Sequence, residues 1–296
     1  MSEFFSHTDS ARRAPEVTVA MPIYNAGVYL RDAVISIVQQ TYVDWELLII
    51  DDGSTDDALQ SIADISDARI SILRDGRNRG LAARLNEAID MATGRYFARM
   101  DQDDVSYPQR FARQLAAMEA APQIDLLASR AIIIDELDNM TGLFPYRLSH
   151  EKICARPWLG FYFPHPTWFG RIEWFRTHRY AEPAPYLCED QELLLRTYVN
   201  SRFATLDEIL FAYRMRTKVS LDKLTRTRRS VRNMQTARFL QSRAWGSLLA
   251  AQVAFVGKVA FDRILPRFHH HGSVDPAILS QWHLVQTETK SGMLSC

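Results

Sequence analysis

Glu46-Leu-Leu-Ile-Ile-Asp-Asp-Gly-Ser-Thr-Asp-Asp57 sets a short, unbroken apolar run directly before two carboxylates and a turn. Such a run, closed by Asp-Asp-Gly, is the pattern of a strand buried on both faces, as in a parallel sheet. Similar runs flank it. Val17-Thr-Val-Ala-Met21 is β-rich and ends at Pro22, with Asn25-Ala-Gly27 as a turn; residues 70–73 form another run; residues 95–100 lead into Asp101-Gln-Asp-Asp104. Helical spacing fills the gaps: Leu30, Ala33, Val34, Ile37 and Val38, then Leu59, Ile62 and Ala63 behind a Ser54-Thr-Asp-Asp57 cap. A third helix spans residues 81–91, with Leu85, Ala88 and Ile89 inward and Gly94 as its stop. Strands alternating with helices of this length predict an α/β fold: a Rossmann-like, mostly parallel sheet flanked by helices. Ligands of such sheets sit beyond the carboxyl ends of the strands, where Tyr24, Asp52 and Asp101 to Asp104 fall.

Past Gln109 the pattern changes. A helix over 110–121 leads to strand-like runs at 126–128 and 132–134, an irregular aromatic and proline-rich stretch at 157–185, and a helix over 189–198. The 296 residues are 47% hydrophobic and 24% charged, which excludes a disordered or fibrous chain. With 35 basic and 35 acidic residues, bulk charge points to no nucleic acid. Ten of those basic residues and one acid, Asp222, fall between Ala212 and Trp245, so one segment is suited to an anionic partner. Three cysteines without CxxC spacing fit a reducing compartment, and no secretory signal is evident at the start. The apolar stretch at 244–257 is shorter than the about 20 residues a membrane span needs.

Asp101, Asp103 and Asp104 crowd one strand end, where mutual repulsion is costly without a cation. All-oxygen ligands favour Mg²⁺ or Mn²⁺, held by one or two carboxylates plus substrate phosphates. Neither G-x-G-x-x-G nor G-x-x-x-x-G-K-[ST] occurs, so a nucleotide would be held by strand ends and a metal.

Four motifs together resemble family 2 glycosyltransferases: Val17-Thr-Val-Ala-Met-Pro-Ile-Tyr-Asn25, Leu47-Leu-Ile-Ile-Asp-Asp-Gly-Ser-Thr-Asp56, Asn78-Arg-Gly80 with Leu85-Asn86, and Met100-Asp-Gln-Asp-Asp104. Order and gaps match as well. The resemblance is close over 17–108, looser over 165–220 and slight beyond. It implies a GT-A fold, a divalent cation (Mn²⁺ or Mg²⁺), a nucleotide-sugar donor and inversion at the anomeric carbon. Residue by residue, it implies that Pro22, Tyr24 and Asn25 lie where the nucleobase packs and that Asp52 accepts from the base. Arg79 lies where the nucleotide is contacted. Asp101 and Asp103 form the DxD pair, with Asp103 the direct metal ligand and Asp101 nearer the ribose or sugar; Asp104 holds the loop. UDP is the default donor nucleotide, with dTDP and GDP open.

An acceptor hydroxyl needs a base within reach. Glu189-Asp190 resembles the family's late acidic pair, which makes Asp190 the catalytic base and Glu189 an acceptor-positioning residue. His165 and Trp168, in His165-Pro-Thr-Trp168, match a segment lining the acceptor side. Arg216, in Tyr213-Arg-Met-Arg216, stands where many relatives carry His and is a candidate diphosphate contact. Trp158, Trp168 and Trp174 are candidates for stacking on sugar rings. The processive signature Q-x-x-R-W is absent, since Gln191 is followed by Glu-Leu-Leu-Leu-Arg196, which favours one sugar per encounter.

The expected organisation is a flexible 1–15, a catalytic domain over 16–222 (nucleotide half to 108, acceptor half from 109), a basic then amphipathic helical extension over 223–268, and a polar tail over 269–296. Residues 226–264 suggest contact with an anionic membrane surface: a cationic stretch followed by Trp245, Leu248, Leu249, Val253, Val256, Ala260 and Ile264. The acceptor is then a lipid-linked saccharide in surface polysaccharide assembly, met at the inner face of the cell membrane. Two rivals remain. A nucleotidyltransferase would carry a Gly-rich, basic first loop, which Pro-Ile-Tyr-Asn does not supply; a non-catalytic relative would have lost the acidic residues that are present.

Overall fold

A computed structural model describes residues 13–215, 220–264 and 275–291. β1 (Val17–Ile23) is buried along its whole length and lies between β2 (Trp45–Asp51) and β4 (Tyr96–Arg99), with β3 (Ile70–Arg74) outside β2. All three pairings are parallel, joined through α1 (Leu30–Val38), a short 3-10 turn (Ala58–Ile62) and α2 (Leu81–Met91). Alternation along the strands separates two apolar layers. Val17, Val19, Met21 and Ile23 meet α1, whereas Ala20, Ile50 and Phe97 face Leu85, Ala88 and Ile89 of α2.

β5 (Val105–Ser106), α3 (Arg110–Ala120), β6 (Leu126–Ile134) and β7 (Met140–Leu143) follow. After them come α4 (His150–Ile153), β8 (Phe169–Arg171), α5 (Ile172–Thr177), α6 (Glu189–Thr197) and β9 (Phe203–Arg214). The sheet order is β3-β2-β1-β4-β8-β6-β9-β5, with β7 paired to β6. Beyond β4 the sheet is mixed: β8 is antiparallel to β4 and β6, and β6 is parallel to β9. The two runs read at 126–128 and 132–134 are one strand, irregular in register at Ser129–Ala131.

Two local expectations change. Ser54 to Asp57 cap no α-helix, because their partners lie within the turns: Asp51 Oδ1 accepts from Ser54 N (2.9 Å) and Asp56 Oδ2 from Gly27 N (2.8 Å). Gly94 is not the stop of α2. A Cβ there would stand 2.6 Å from Thr18 N, so glycine is required by the close approach of β1.

α7 (Leu221–Gln241) and α8 (Trp245–Ile264) form an antiparallel hairpin, with Gln252 donating to Thr236 (2.9 Å) and Arg228 to Asp262 (3.3 Å). Phe239 and Ala251 bury its inner face in the layer that holds Leu193 and Leu194 of α6. The segment expected as a polar tail contains α9 (Pro276–Ser291). Trp282 and Val285 sit in an apolar cluster with Tyr107, Ile132 and Ile209, and Trp282 Nε1 and Gln286 Nε2 both donate to Asp138 O (3.0 Å each). Ile278, Trp282 and Val285 recur at helical spacing, which supplies the buried face. The His269 to His271 run lies outside the described residues.

Candidate active site

The carboxyl ends of β1, β2 and β4 converge, as the α/β pattern requires. Asp52 is buried at the end of β2. Its Oδ1 accepts from Arg79 N (2.6 Å) and Arg84 Nε (2.8 Å), and its Oδ2 from Gly80 N (2.9 Å). Arg84 is buried on α2 and also pairs with Asp75 and Glu87 (2.8 Å), so one guanidinium ties the two loops after β2 and β3. Arg79 enters through its backbone, while its side chain reaches Glu87 (3.4 Å).

Asn25 has φ 48°, a left-handed conformation this residue type tolerates. Its Oδ1 accepts from Thr55 N (2.8 Å) and its N donates to Ser54 Oγ (3.0 Å), so it shapes the loop. Pro22 is buried inside β1, which leaves Tyr24, 47% exposed, as the open aromatic surface there. Gln102 brackets Tyr24, accepting from its N (2.6 Å) and donating to its O (3.1 Å), and so joins the β1 loop to the acidic loop after β4.

Within that acidic loop, Asp101 receives Arg99 Nη2 at 2.6 Å. Asp104 is fully buried and accepts Arg214 N at 2.7 Å, the loop-holding role read for it. Arg214 Nε also donates to Asp103 O (2.7 Å) and its Nη1 meets Asp138 Oδ1 (2.7 Å). Asp138 is the residue gripped by α9, so the C-terminal helix buttresses the acidic loop.

Across a cavity of about 340 Å³ stand Glu189 and Asp190, at the N-terminal turn of α6, with Arg99, Asp101, His165 and Tyr213 on the other walls. Leu187, at φ 49°, is a strained non-glycine residue that leads the chain into that turn. Burial raises Glu189 to about 7, with the Asp190 charge as second cause. Burial raises Asp190 too, opposed by hydrogen bonding from Gln191 and by Arg99. The α6 dipole favours carboxylates at this end. Gln191 donates to Asp190 Oδ2 (3.0 Å) and clamps the backbone of Phe161 (2.8 and 3.2 Å).

His165 is buried, with Nε2 against Tyr180 Oη (2.7 Å) and Nδ1 3.7 Å from Glu189. Burial, then Arg99, push its imidazole well below its usual range, so it is neutral. Trp168 does not reach the site. It is fully buried, its ring packed against Phe163 and His165, so core packing has taken the side chain expected to meet an acceptor. Trp174 is likewise buried and bonded to Ser201 (2.9 Å); of the three candidate tryptophans, Trp158 is the one that lines a cavity among the described residues. Arg216 lies outside the described residues.

The motifs do not mark Arg84, Arg99, Gln102, Gln191 or Arg214. A signal exists for Arg99, the lone charge in Tyr96-Phe-Ala-Arg-Met100. Its Nε and Nη1 are buried without a partner among the described residues, and its charge bears on Asp101, Glu189 and Asp190 together.

The acidic loop fits a divalent cation. Asp104 Oδ2 is a buried oxygen with no partner among the described residues, and burial with the charges of Asp101 and Asp103 holds that carboxyl well above its ordinary range. Among the described residues no three acidic, His or Cys side chains converge as a complete metal cage. Two carboxylates completed by substrate phosphates match the Mg²⁺ or Mn²⁺ habit.

Comparison with known proteins bears on the family and the fold. EpsE of Bacillus subtilis, provisionally named a glycosyltransferase, is 40% identical over 167 residues, 55% of this chain and 59% of EpsE. WfgD of Escherichia coli, a UDP-Glc:alpha-D-GlcNAc-diphosphoundecaprenol beta-1,3-glucosyltransferase, is 30% identical over 146 residues, 49% of this chain and 57% of WfgD. The matches thus span little more than half of these relatives. Among solved structures, Staphylococcus aureus TarS 1–349 in complex with UDP-GlcNAc superposes with TM-score 0.63 at 17% identity, over 94% of this chain and 81% of that one. The mannosyltransferase PcManGT of Pyrobaculum calidifontis, in complex with GDP-Man and Mn²⁺, gives 0.59 at 17%, over 95% and 87%. Both show the same GT-A fold. The profile described as Glycosyl transferase family 2 matches residues 18–179, more than half of the chain, and the protein belongs to that family.

Proposed function

We propose that the protein is an inverting glycosyltransferase that moves one sugar from a nucleotide-diphosphate sugar, UDP-linked by preference, to a hydroxyl of a lipid-linked saccharide in surface polysaccharide synthesis. The observation that carries this reading is the meeting of Asp101 with Glu189 and Asp190 in one cavity, from elements far apart in sequence. Tyr24 offers a surface for the base, and Asp52 holds the loop around it. Asp101 faces the ribose or sugar. Asp103 with Asp101 would hold Mn²⁺ or Mg²⁺, whose chemistry is to offset charge on the departing diphosphate. The acceptor hydroxyl oxygen attacks the anomeric carbon as the bond from that carbon to the diphosphate oxygen breaks. Asp190 takes the hydroxyl proton, and the electron pair of the broken bond leaves with the nucleoside diphosphate. Glu189, set by neutral His165, orients the acceptor. The activity of WfgD, on a diphosphoundecaprenol-linked sugar, supports the lipid-linked choice.

A peripheral station on the cytoplasmic leaflet suits the hairpin. Trp245, Leu249, Val253 and Val256 leave an exposed apolar stripe on α8, and Arg226 and Arg229 of α7 and Arg243 of the turn between the helices are exposed too. Among the described residues no helix is long and apolar enough to cross a membrane. The test is a thermal-shift screen of UDP, GDP, dTDP and CMP with and without Mn²⁺, followed by transfer assays. A Mn²⁺-dependent shift with UDP, lost in Asp103→Ala, and a fall in transfer of about 10²–10⁴-fold in Asp190→Asn with UDP binding intact, are expected. No shift with any nucleotide would leave a non-catalytic member of the family as the better reading.

A further inference from the structure

A second cavity, of about 260 Å³, adjoins the first. It lies between the 157–162 loop and the inner sides of α7 and α8, and both cavities are lined by Phe161, Leu187, Asp190 and Gln191. The proposed base therefore stands at their junction. Away from that junction the chemistry is different. Arg228, Arg232 and Lys258 bring three cations to the walls, and Trp158, Val231 and Phe255 bring apolar surface. Asp190 itself is the one carboxylate among the described lining residues.

The cations are held in place but poorly neutralised. Arg232 lies over the Phe255 ring, 4.6 Å from its centroid, and donates to Asn233 Oδ1 (3.0 Å). Lys258 Nζ donates to Leu159 O (2.7 Å). Among the described residues, Arg228 alone of the three has a carboxylate partner, Asp262, at 3.3 Å. Burial and then the Arg228 charge hold the Lys258 ammonium below its usual range, as expected where cations share too few anions. Partly desolvated cations beside apolar walls are costly until an anion joins them. Guanidinium groups and a lysine in one recess suit a phosphate.

We propose that this cavity seats the phosphate-bearing end of the acceptor, a saccharide joined through phosphate or diphosphate to a hydrocarbon chain. Arg228, Arg232 and Lys258 are the anion ligands, the accepting sugar reaches Asp190, and the hydrocarbon lies along the apolar wall of Trp158, Val231 and Phe255. This rests on the transferase reading and gives that site its acceptor class.

The test uses the full chain and isothermal titration in metal-free buffer with farnesyl diphosphate, inorganic pyrophosphate and farnesol, with UDP plus Mn²⁺ titrated separately. Farnesyl diphosphate is expected to bind at least tenfold more tightly than pyrophosphate or farnesol. Arg232→Gln and Lys258→Gln each weaken it about tenfold while UDP affinity stays within twofold; a glutamine at position 258 keeps a donor for Leu159 O. Should Arg232→Gln fail to fold by circular dichroism, Lys258→Gln decides. Undiminished binding in the variants, or equal binding of farnesol, overturns the anion seat. Equal binding of pyrophosphate overturns the hydrocarbon-linked class. If UDP binds and farnesyl diphosphate does not, this inference alone falls; if farnesyl diphosphate binds and UDP does not, the transferase reading falls and the anion seat stands.

Discussion

Between β1 and β4 the site's side chains arrive on adjacent ends of a parallel sheet, and a single buried arginine, Arg84, ties the Asp52 loop after β2 to the loop after β3. From β6 onward they arrive on a 3-10 turn, a helix N-terminus and a long loop, gathered by packing between segments distant in sequence. The donor half is thus fixed by a few buried ionic contacts. Around Glu189 in the acceptor half, shape comes from aromatic packing among Phe163, Trp168 and Phe203, and the ion pair of Arg179 with Asp90 lies toward solvent. That difference predicts a rigid site for the proposed donor and a more adaptable pocket for the proposed acceptor.

The largest effect should come from Arg84. Breaking a buried pair strands the remaining charge, so Arg84→Met should cost about 3–5 kcal/mol, read by urea unfolding, and should abolish UDP binding as the Asp52 loop loosens. Arg179 of the acceptor half pairs near the surface with Asp90 of α2, at 36% and 63% side-chain exposure. Arg179→Met should cost less than about 1 kcal/mol. Similar losses at the two positions would break the contrast between the halves.

The next effect belongs to α9. Trp282 fills the cluster with Tyr107 and Ile132, and removing a buried tryptophan costs about 3–5 kcal/mol. More telling is the relay from Trp282 to Asp138 O, from Asp138 Oδ1 to Arg214, and from Arg214 to Asp103 O. Trp282→Ala should therefore also weaken Mn²⁺-dependent UDP binding, measured by titration at a temperature where the variant is folded. Lost stability with unchanged metal-dependent binding would reduce α9 to a packing element.

The donor half is legible in the sequence because its chemistry is local. Asp52, Asp101 and Asp103 each follow an apolar run, so strand end and carboxylate are read in one glance, and the parallel order follows from the intervening helices. The buried arginines are not legible, because a charge inside an apolar pattern reads as a solvated interruption until its partners are known. Arg84 finds Asp52, Asp75 and Glu87 only through the fold. Trp168 misleads in the opposite sense: its motif is that of an acceptor wall, but Phe163 and His165 enclose it. Helix α9 escapes because its apolar residues are spaced four and three apart within a polar composition, so average polarity hides the stripe. Glu189-Asp190 is found from its place in the chain, whereas its environment, which sets how it ionises, is tertiary.

That environment gives the smallest and most diagnostic prediction. Burial and the neighbouring Asp190 hold Glu189 at about 7 in the folded protein, against about 4.3 for an unfolded chain. The folded state therefore binds more protons than the unfolded state between those values, and the contribution of Glu189 to stability falls as pH rises through that window. An amide in its place cannot ionise, so Glu189→Gln should leave stability near wild type at pH 4.5 and exceed it by up to about 4 kcal/mol at pH 8, the limit set by 1.36 kcal/mol per pKa unit. Melting curves at the two pH values read it directly. Transfer should move the other way, with a lower rate at neutral pH because the acceptor loses a carboxylate. The acid limb of the rate, set by Asp190, should stay in place, because Asp190 ionises before Glu189 and therefore beside a neutral carboxyl. A variant both more stable at high pH and slower would show that the acceptor half holds a charge the fold would shed. A variant with unaltered pH dependence of stability would mean that Glu189 is solvated and ionised at neutral pH, and the acceptor pocket would then be as open as the surface around Arg179.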